Sequence, residues 1–141
     1  MQKNFRNFLV CGAVLALGAC ATGTTTGWQD LGLSVDGNIR HALDKSSIVR
    51  QGNRVTFRDL KTVQNVSRAQ YANLPAFHTA AGTWEIDCVR KTQRLRALTL
   101  KNAQGRVVGE YRYPNAELQP MQIHSGQVAA KQFELVCGKP I

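Results

Sequence analysis

Apolar and polar residues alternate along much of the chain after residue 27, which is the period-2 pattern of half-buried β-strands. The clearest case is T-W-E-I-D-C at positions 83–88, where the tryptophan, isoleucine and cysteine fall on one side and the two acids on the other. Basic residues follow at positions 90, 91, 94 and 96. We therefore predict one central strand that begins at Thr83 and continues to Leu100.

Further strands are predicted between turn signals, such as D-G at positions 36–37 and Q-G at positions 51–52. The alternation of apolar and polar residues changes phase near Asp59. This predicts a bulge there, because one extra residue turns the following side chains to the other face of the sheet. Residues 67–82 are predicted to form a loop or an excursion along the sheet edge. The predicted strands are 28–35, 39–43, 47–50, 54–66, 83–100 and 106–113.

The last element has helical periodicity. Apolar residues at positions 129, 133, 136 and 137 share one helical face. Ser125 is predicted to be the N-cap, and Gly138 to end the helix. The predicted fold class is α+β, an antiparallel sheet of about five to six strands with one C-terminal helix packed on it.

The first 19 residues resemble a lipoprotein signal peptide. Lys3 and Arg6 precede an apolar run of about ten residues, too short to span a bilayer. The run ends in L-G-A-C, which predicts that Cys20 carries the lipid; the alternative is an ordinary secretory cleavage site. Residues 20–27 then form a lipidated, flexible tether of about 15 Å, and residues 28–141 a single domain.

The residue after the predicted lipidated cysteine is Ala21 and not an aspartate. Lipoproteins that resemble this one in that respect reside in the outer membrane, so we expect an outer-membrane lipid anchor. Whether the domain faces the cell surface or the periplasm is left open by the sequence.

The charge of the chain is strongly positive. The formal net charge is +9, and it falls to +7 when the leader with Lys3 and Arg6 is removed. A basic surface predicts acidic partners, namely acidic protein segments, acidic glycans or anionic lipid. Nucleic acid is not an expected partner for an exported protein.

Four cysteines are present, and two of them remain for the folded domain. Cys11 leaves with the leader and Cys20 is the lipidation site, so Cys88 and Cys137 are left in an oxidising compartment. A disulfide between the central strand and the helix is the favoured prediction. Two buried free thiols or a metal pair are the alternatives.

The chain resembles the surface-adhesin protein E-like family of bacterial lipoproteins over most of residues 28–138. The resemblance rests on the lipobox leader, the I-D-C of 86–88, the arginine-bearing segment after it, and the I-H-S-G and L-V-C of 123–137. It implies an antiparallel sheet of about six strands, a packed helix and a strand-to-helix disulfide. Because some members bind host extracellular-matrix proteins, the resemblance also implies a non-enzymatic adhesin-like function.

The candidate ligand-binding residues are basic. Even spacing predicts that Arg90, Arg94 and Arg96 share one strand face, where guanidinium groups can pair with carboxylates or sulfates. The alternative is a solvated face that discourages edge aggregation. The predicted set is Arg90, Lys91, Arg94, Arg96, Arg106 and Arg112, and a second row is predicted at Arg50, Arg54 and Arg58.

Other chemistry has little support in the sequence. The scattered histidines at 41, 78 and 124 predict neither a metal site nor a cofactor site. Ser125 lies outside any nucleophile motif, and Glu85 with Asp87 is expected to face solvent or to pair with arginines. Trp28 and Trp84 are predicted to pack in the core.

The sequence is compatible with three functions. The first is an adhesin-like module for host extracellular-matrix proteins or acidic glycans, with self-association into a homodimer through a sheet edge. The second is a periplasm-facing envelope protein that contacts lipopolysaccharide or another envelope protein. The third, a lysozyme inhibitor, is disfavoured because a basic chain repels a cationic enzyme.

Overall fold

Six strands form an antiparallel sheet in which each strand pairs with the next one along the chain, and a seventh short strand pairs with the fifth. The computed structural model describes residues 27–114 and 119–141. The elements are β1 Trp28–Leu33, β2 Ile39–Gln51, β3 Arg54–Val63, β4 Thr79–Asp87, β5 Thr92–Lys101, β6 Val107–Arg112, β7 Met121–Gln122 and the helix α1 Val128–Cys137. The predicted α+β class is therefore confirmed. The predicted signal peptide and Cys20 lie outside the described residues.

One face of the sheet carries the core. Leu43, Phe57 and Ile86 are buried there beneath α1, which contributes Phe133 and Val136. The face that lies opposite α1 is called the outer face below. Burial of these side chains supplies the main driving force that holds the helix on the sheet.

A second apolar cluster lies at the far end of the same face. Residues 64–78 fold over it, and Phe77 and Ala69 pack there against Val63, Ala80 and Leu100. The loop predicted over 67–82 is correct only as far as residue 78, because β4 already begins at Thr79; the loop covers part of the sheet. It includes a short 3₁₀ turn at Val66–Arg68.

The predicted disulfide between Cys88 and Cys137 is present. Cys88 comes directly after β4, and Cys137 is the last residue of α1; their Cα atoms are 5.7 Å apart. Gly138 ends the helix in the left-handed conformation with φ 69°, as predicted. The C-terminal helix is therefore covalently linked to the end of a central strand.

The prediction of one strand over residues 83–100 is wrong. The chain turns at Cys88–Lys91 and returns as β5, so β4 and β5 form a hairpin. The Asp87 carboxylate accepts hydrogen bonds from the backbone N–H groups of Val89 and Arg90 at 3.0 and 2.9 Å. Aspartate side chains favour turns by this kind of local hydrogen bond.

Several smaller predictions also need correction. The pairing of β3 with β4 is regular, and the irregularity lies instead in β2 between Asp44 and Val49, which joins two predicted strands into one. Gln127 is the N-cap position rather than Ser125. Trp28 is 41% exposed, because it lies at the start of the edge strand.

Gly82 allows two side chains to approach the sheet closely. A Cβ atom at this position would lie 2.6 Å from Asp59 Oδ1 and 2.6 Å from Trp84 Nε1. We expect Gly82→Ala to lower the free energy of unfolding by about 1–3 kcal/mol through overpacking, measured by urea denaturation. Ala81→Ser adds an atom on the exposed neighbour and should change it by less than about 0.5 kcal/mol; equal effects of the two substitutions would contradict the steric argument.

Candidate functional site

Two of the predicted binding arginines are engaged by one carboxylate on the outer face. Glu85 accepts hydrogen bonds from Arg94 at 2.5 and 2.9 Å and from Arg96 at 3.0 Å. The Glu85 and Arg94 side chains are each only 13% exposed. Arg96 reaches the same carboxylate because β5 bulges opposite Thr83 and Trp84. Arg94 and Arg96 therefore stabilise the sheet and offer little free charge to a ligand.

Most other carboxylates are paired in the same way. Within residues 27–114 and 119–141, the remaining ion pairs are Asp30–Arg40, Asp36–Arg68, Asp44–Arg58 and Asp59–Lys61. A hydroxyl hydrogen bond from Ser46, helped by Arg58, lowers the pKa of Asp44. Asp30, Asp44 and Glu85, with their arginines, give the outer face a mixture of negative and positive charges, whereas the Asp59–Lys61 pair lies on the helix side. The positive charge that these ion pairs do not neutralise must therefore lie on other parts of the surface.

Part of that excess collects at one end of the sheet. The turn at 51–54 and the turn at 88–91 meet there, because the Asn53 carbonyl accepts a hydrogen bond from the Cys88 N–H at 2.9 Å. The disulfide adds the end of α1, whose Val136 carbonyl accepts a hydrogen bond from Arg50. We name this surface the basic end; its cations are Arg50, Arg54, Arg90, Lys91 and Lys139.

A groove of about 470 Å³ runs between the two turns of the basic end. Its lining residues are Gln51, Asn53, Arg54, Asp87, Val89 and Arg90. The pKa of Asp87 is lowered, first by the hydrogen bond from the Arg90 N–H and also by the charges of Arg90 and Arg54. Asp87 stays ionised at neutral pH and offsets only part of the positive charge.

A second group of cations lies on the hairpin of β5 and β6. Lys101 ends β5, Arg106 precedes β6, and Arg112 ends β6 opposite Ala97. All three side chains are exposed, and among the described residues none has a carboxylate oxygen within 4.0 Å. We name this group, Lys101, Arg106 and Arg112, the hairpin cations.

The predicted basic strand face is thus wrong as a single surface. Arg90 and Lys91 belong to the basic end, Arg94 and Arg96 to the Glu85 network, and Arg106 and Arg112 to the hairpin cations. The second predicted row is also divided between the two faces of the sheet. Arg50 lies opposite Val55 on the helix side, whereas Arg54 and Arg58 lie on the outer face. Charges close in sequence are separated by the hairpin at 88–91.

Lys139 was missing from the predicted set. It follows Cys137 by two residues, so the disulfide carries it to the turn at 88–91. The cysteine pairing was the signal in the sequence that could have placed this lysine on the same end of the domain as the turn at 88–91. The three histidines lie apart, in β2, just before β4 and just before α1.

A cleft on the helix side separates α1 from the loop over 64–78. The Lys61 ammonium lies 5.1 Å from the centre of the Trp84 ring, within reach of a cation–π interaction. On one side of this pair are apolar residues such as Leu74 and Leu98, and on the other are His41 and Gln132. Burial, the largest cause, lowers the pKa of His41, so the imidazole is neutral at neutral pH. Trp84 therefore lines a cleft and is not wholly within the core.

The fold and surface define a small disulfide-linked domain in which, apart from Asp44 and Asp59, the described charged side chains are at least partly exposed. A family model described as surface-adhesin protein E matches residues 28–138. The chain belongs to this family, which identifies it as an adhesin-like surface protein. No curated protein and no solved structure matches the chain significantly. Among the described residues no helix has the length and apolar character needed to cross a bilayer.

Proposed function

We propose that this chain is a non-enzymatic outer-membrane lipoprotein, anchored through Cys20, that binds acidic host extracellular-matrix proteins or acidic glycans. Membership of the surface-adhesin family supports the adhesin role. The lipobox sequence supports the anchor. Both the basic end and the hairpin cations offer guanidinium groups, which pair bidentately with carboxylates and sulfates.

The observation that carries this proposal is the uneven use of charge. Glu85 alone holds two arginines, and four aspartates hold one cation each. In the described part of the chain, the basic end and the hairpin cations have no ion pair of this kind. Exposed cations that are not neutralised within the fold raise the local concentration of acidic partners and speed their association.

The test uses cells that display the full chain, with binding to immobilised heparin and matrix proteins measured over a salt series. We compare a hairpin variant, Lys101→Gln with Arg106→Gln and Arg112→Gln, with a basic-end variant, Arg54→Gln with Arg90→Gln and Lys91→Gln. At least one should weaken binding roughly tenfold, since three charge contacts of about 0.5 kcal/mol each are lost. The salt dependence should flatten in the same variant.

The matched control is Arg40→Gln, which removes an exposed arginine that already pairs with Asp30 at 2.5 Å. It should leave binding near the wild-type value. Unchanged binding in both triple variants would contradict an electrostatic adhesin. Protease treatment of intact cells tests surface display separately, because an outward-facing domain is removed and a periplasmic one is protected.

A second candidate is a periplasm-facing envelope lipoprotein that contacts lipopolysaccharide or another envelope protein. The observation that favours it is the start of β1: Trp28 lies opposite Asp44 and β1 runs away from the turn at 51–54, so the chain enters the domain on the side of the basic end. Protection from protease on intact cells would favour this periplasm-facing candidate over the adhesin.

Self-association through the edge strand β6 is a further proposal, because Val107 and Val108 are 51% and 36% exposed on that strand.

A further inference from the structure

The chain enters the domain on the side of the basic end. Gly27 lies against β2, and its carbonyl accepts a hydrogen bond from the Lys45 N–H at 2.6 Å. From Trp28, opposite Asp44, β1 runs antiparallel to β2 and therefore away from the turn at 51–54. Asp44 pairs with Arg58, four residues along β3 from Arg54, so this turn lies about 13 Å beyond the entry point along the strand direction. The predicted tether of about 15 Å is long enough to bring a lipidated Cys20 level with it.

The charge at this end is one-sided. Asp87 lines the groove with Arg54 and Arg90, Glu134 lies one turn before the end of α1, and the nearby Glu85 is paired with Arg94 and Arg96. Five cations against Asp87 and Glu134 leave an excess of three positive charges. Each basic residue near an anionic bilayer adds to the attraction between the protein and the headgroups. An acyl anchor combined with a basic patch is the pairing of signals that holds peripheral proteins firmly to a membrane.

Exposed apolar side chains accompany these cations. Val89, at the tip of the turn between β4 and β5, is 62% exposed, and Val49 is 52% exposed beside the turn at 51–54. Trp28, at the entry point, is 41% exposed, and tryptophan is enriched at membrane interfaces. Cations mixed with apolar residues match a headgroup layer, which offers phosphates above acyl chains, better than a wholly polar glycan.

We propose that the basic end docks on the anionic headgroups of the same bilayer that holds the lipid anchor. This inference rests on the anchor of the proposed function and adds an orientation to it. β5 runs from the basic end toward Lys101, about 30 Å away, so Lys101 and Arg106 point away from the membrane. The hairpin cations are then the ones available to an acidic partner in solution.

The experiment places the lipidated full chain in vesicles of phosphatidylcholine alone or of an equal mixture of phosphatidylcholine and phosphatidylglycerol. A membrane-impermeant amine reagent labels exposed lysines, and mass spectrometry reads the labelling of Lys91, Lys139 and Lys101. We expect anionic lipid to reduce labelling at Lys91 and Lys139 roughly fivefold or more and to leave Lys101 unchanged. High salt should remove the difference.

A double variant, Arg54→Gln with Arg90→Gln, should restore labelling of Lys91, whereas Arg106→Gln with Arg112→Gln should not. Equal protection of the three lysines in both kinds of vesicle would overturn the inference. Protection by soluble heparin but not by anionic lipid would also overturn it and would indicate a glycan site. The same spectra report acylation of Cys20: an acylated chain with unprotected lysines leaves the proposed function intact, and an unacylated chain removes the anchor and this inference together.

Discussion

Replacing both Cys88 and Cys137 by alanine should lower the free energy of unfolding by about 4 kcal/mol. The bridge joins residues 49 apart in sequence, and a closed loop of this size restricts the unfolded chain by about that amount in the chain-entropy model. The loss is a large part of the 5–15 kcal/mol that holds a typical domain together. Urea denaturation followed by circular dichroism, on protein produced in an oxidising compartment, measures it.

Reduction provides the matched control for this prediction. A thiol reductant should move the unfolding midpoint of the wild-type chain toward that of the double alanine variant and leave the variant unchanged. A loss below about 1 kcal/mol would contradict the chain-entropy argument for this bridge. Labelling experiments on the basic end then need the oxidised protein, since the bridge joins the end of α1, two residues before Lys139, to the turn at 88–91.

The cysteine pairing could be predicted because few pairings are possible, and the general fold because strands and helices leave short-range patterns in the sequence. Only two cysteines were left for the domain after the leader and the lipidation site were set aside. Apolar residues at helical spacing predicted α1, in which Phe133 and Val136 are buried as expected. Alternation predicted the strands around Phe57 and Ile86, because one face of the sheet is buried.

The hairpin between β4 and β5 could not be predicted from alternation, because its turn contains neither glycine nor proline. Lys91 adopts φ 55°, in the left-handed region that few side chains favour. The turn is held by Asp87, whose carboxylate accepts two backbone hydrogen bonds. Asp87 near the end of the alternating run is the available signal, but alternation alone predicts that it is an outward-facing strand residue.

The candidate site was divided for the same reason. Once the chain reverses after Asp87, Arg90 lies in a turn while Arg94 lies opposite Glu85 on the returning strand. Which arginines keep a free charge then depends on the register between strands, and that register depends on the bulge near Arg96. Sequence spacing along a presumed single strand carries no information about this pairing.

The buried network around Asp59 was also missed, and it supports the second large prediction. Asp59 is 1% exposed and accepts hydrogen bonds from Lys61 Nζ at 2.7 Å, Gln132 Nε2 at 3.2 Å and the Gly82 N–H at 3.2 Å. Gln132 lies in α1, so the carboxylate links the helix to β3 and β4. Hydrophobic spacing identifies the buried side of a helix from its apolar residues, so it does not predict that Gln132 is buried there.

We expect Asp59→Ala to lower the free energy of unfolding by about 3–5 kcal/mol. The substitution leaves the Lys61 ammonium without its carboxylate and two buried hydrogen-bond donors without an acceptor. Asp59→Asn keeps the shape and one acceptor, so it should cost less than Asp59→Ala. Urea denaturation of the three proteins measures the series.

The control is Asp30→Ala, which breaks an ion pair with Arg40 whose side chains are 57% and 51% exposed. Exposed pairs contribute about 0–1 kcal/mol, so the two alanine substitutions should differ by several-fold in their effect. Equal losses in the free energy of unfolding would mean that burial does not strengthen the contribution of the Asp59 hydrogen bonds to stability. Combining Asp59→Ala with Gln132→Ala tests the link to the helix directly, because a shared hydrogen bond makes the double loss smaller than the two single losses taken together.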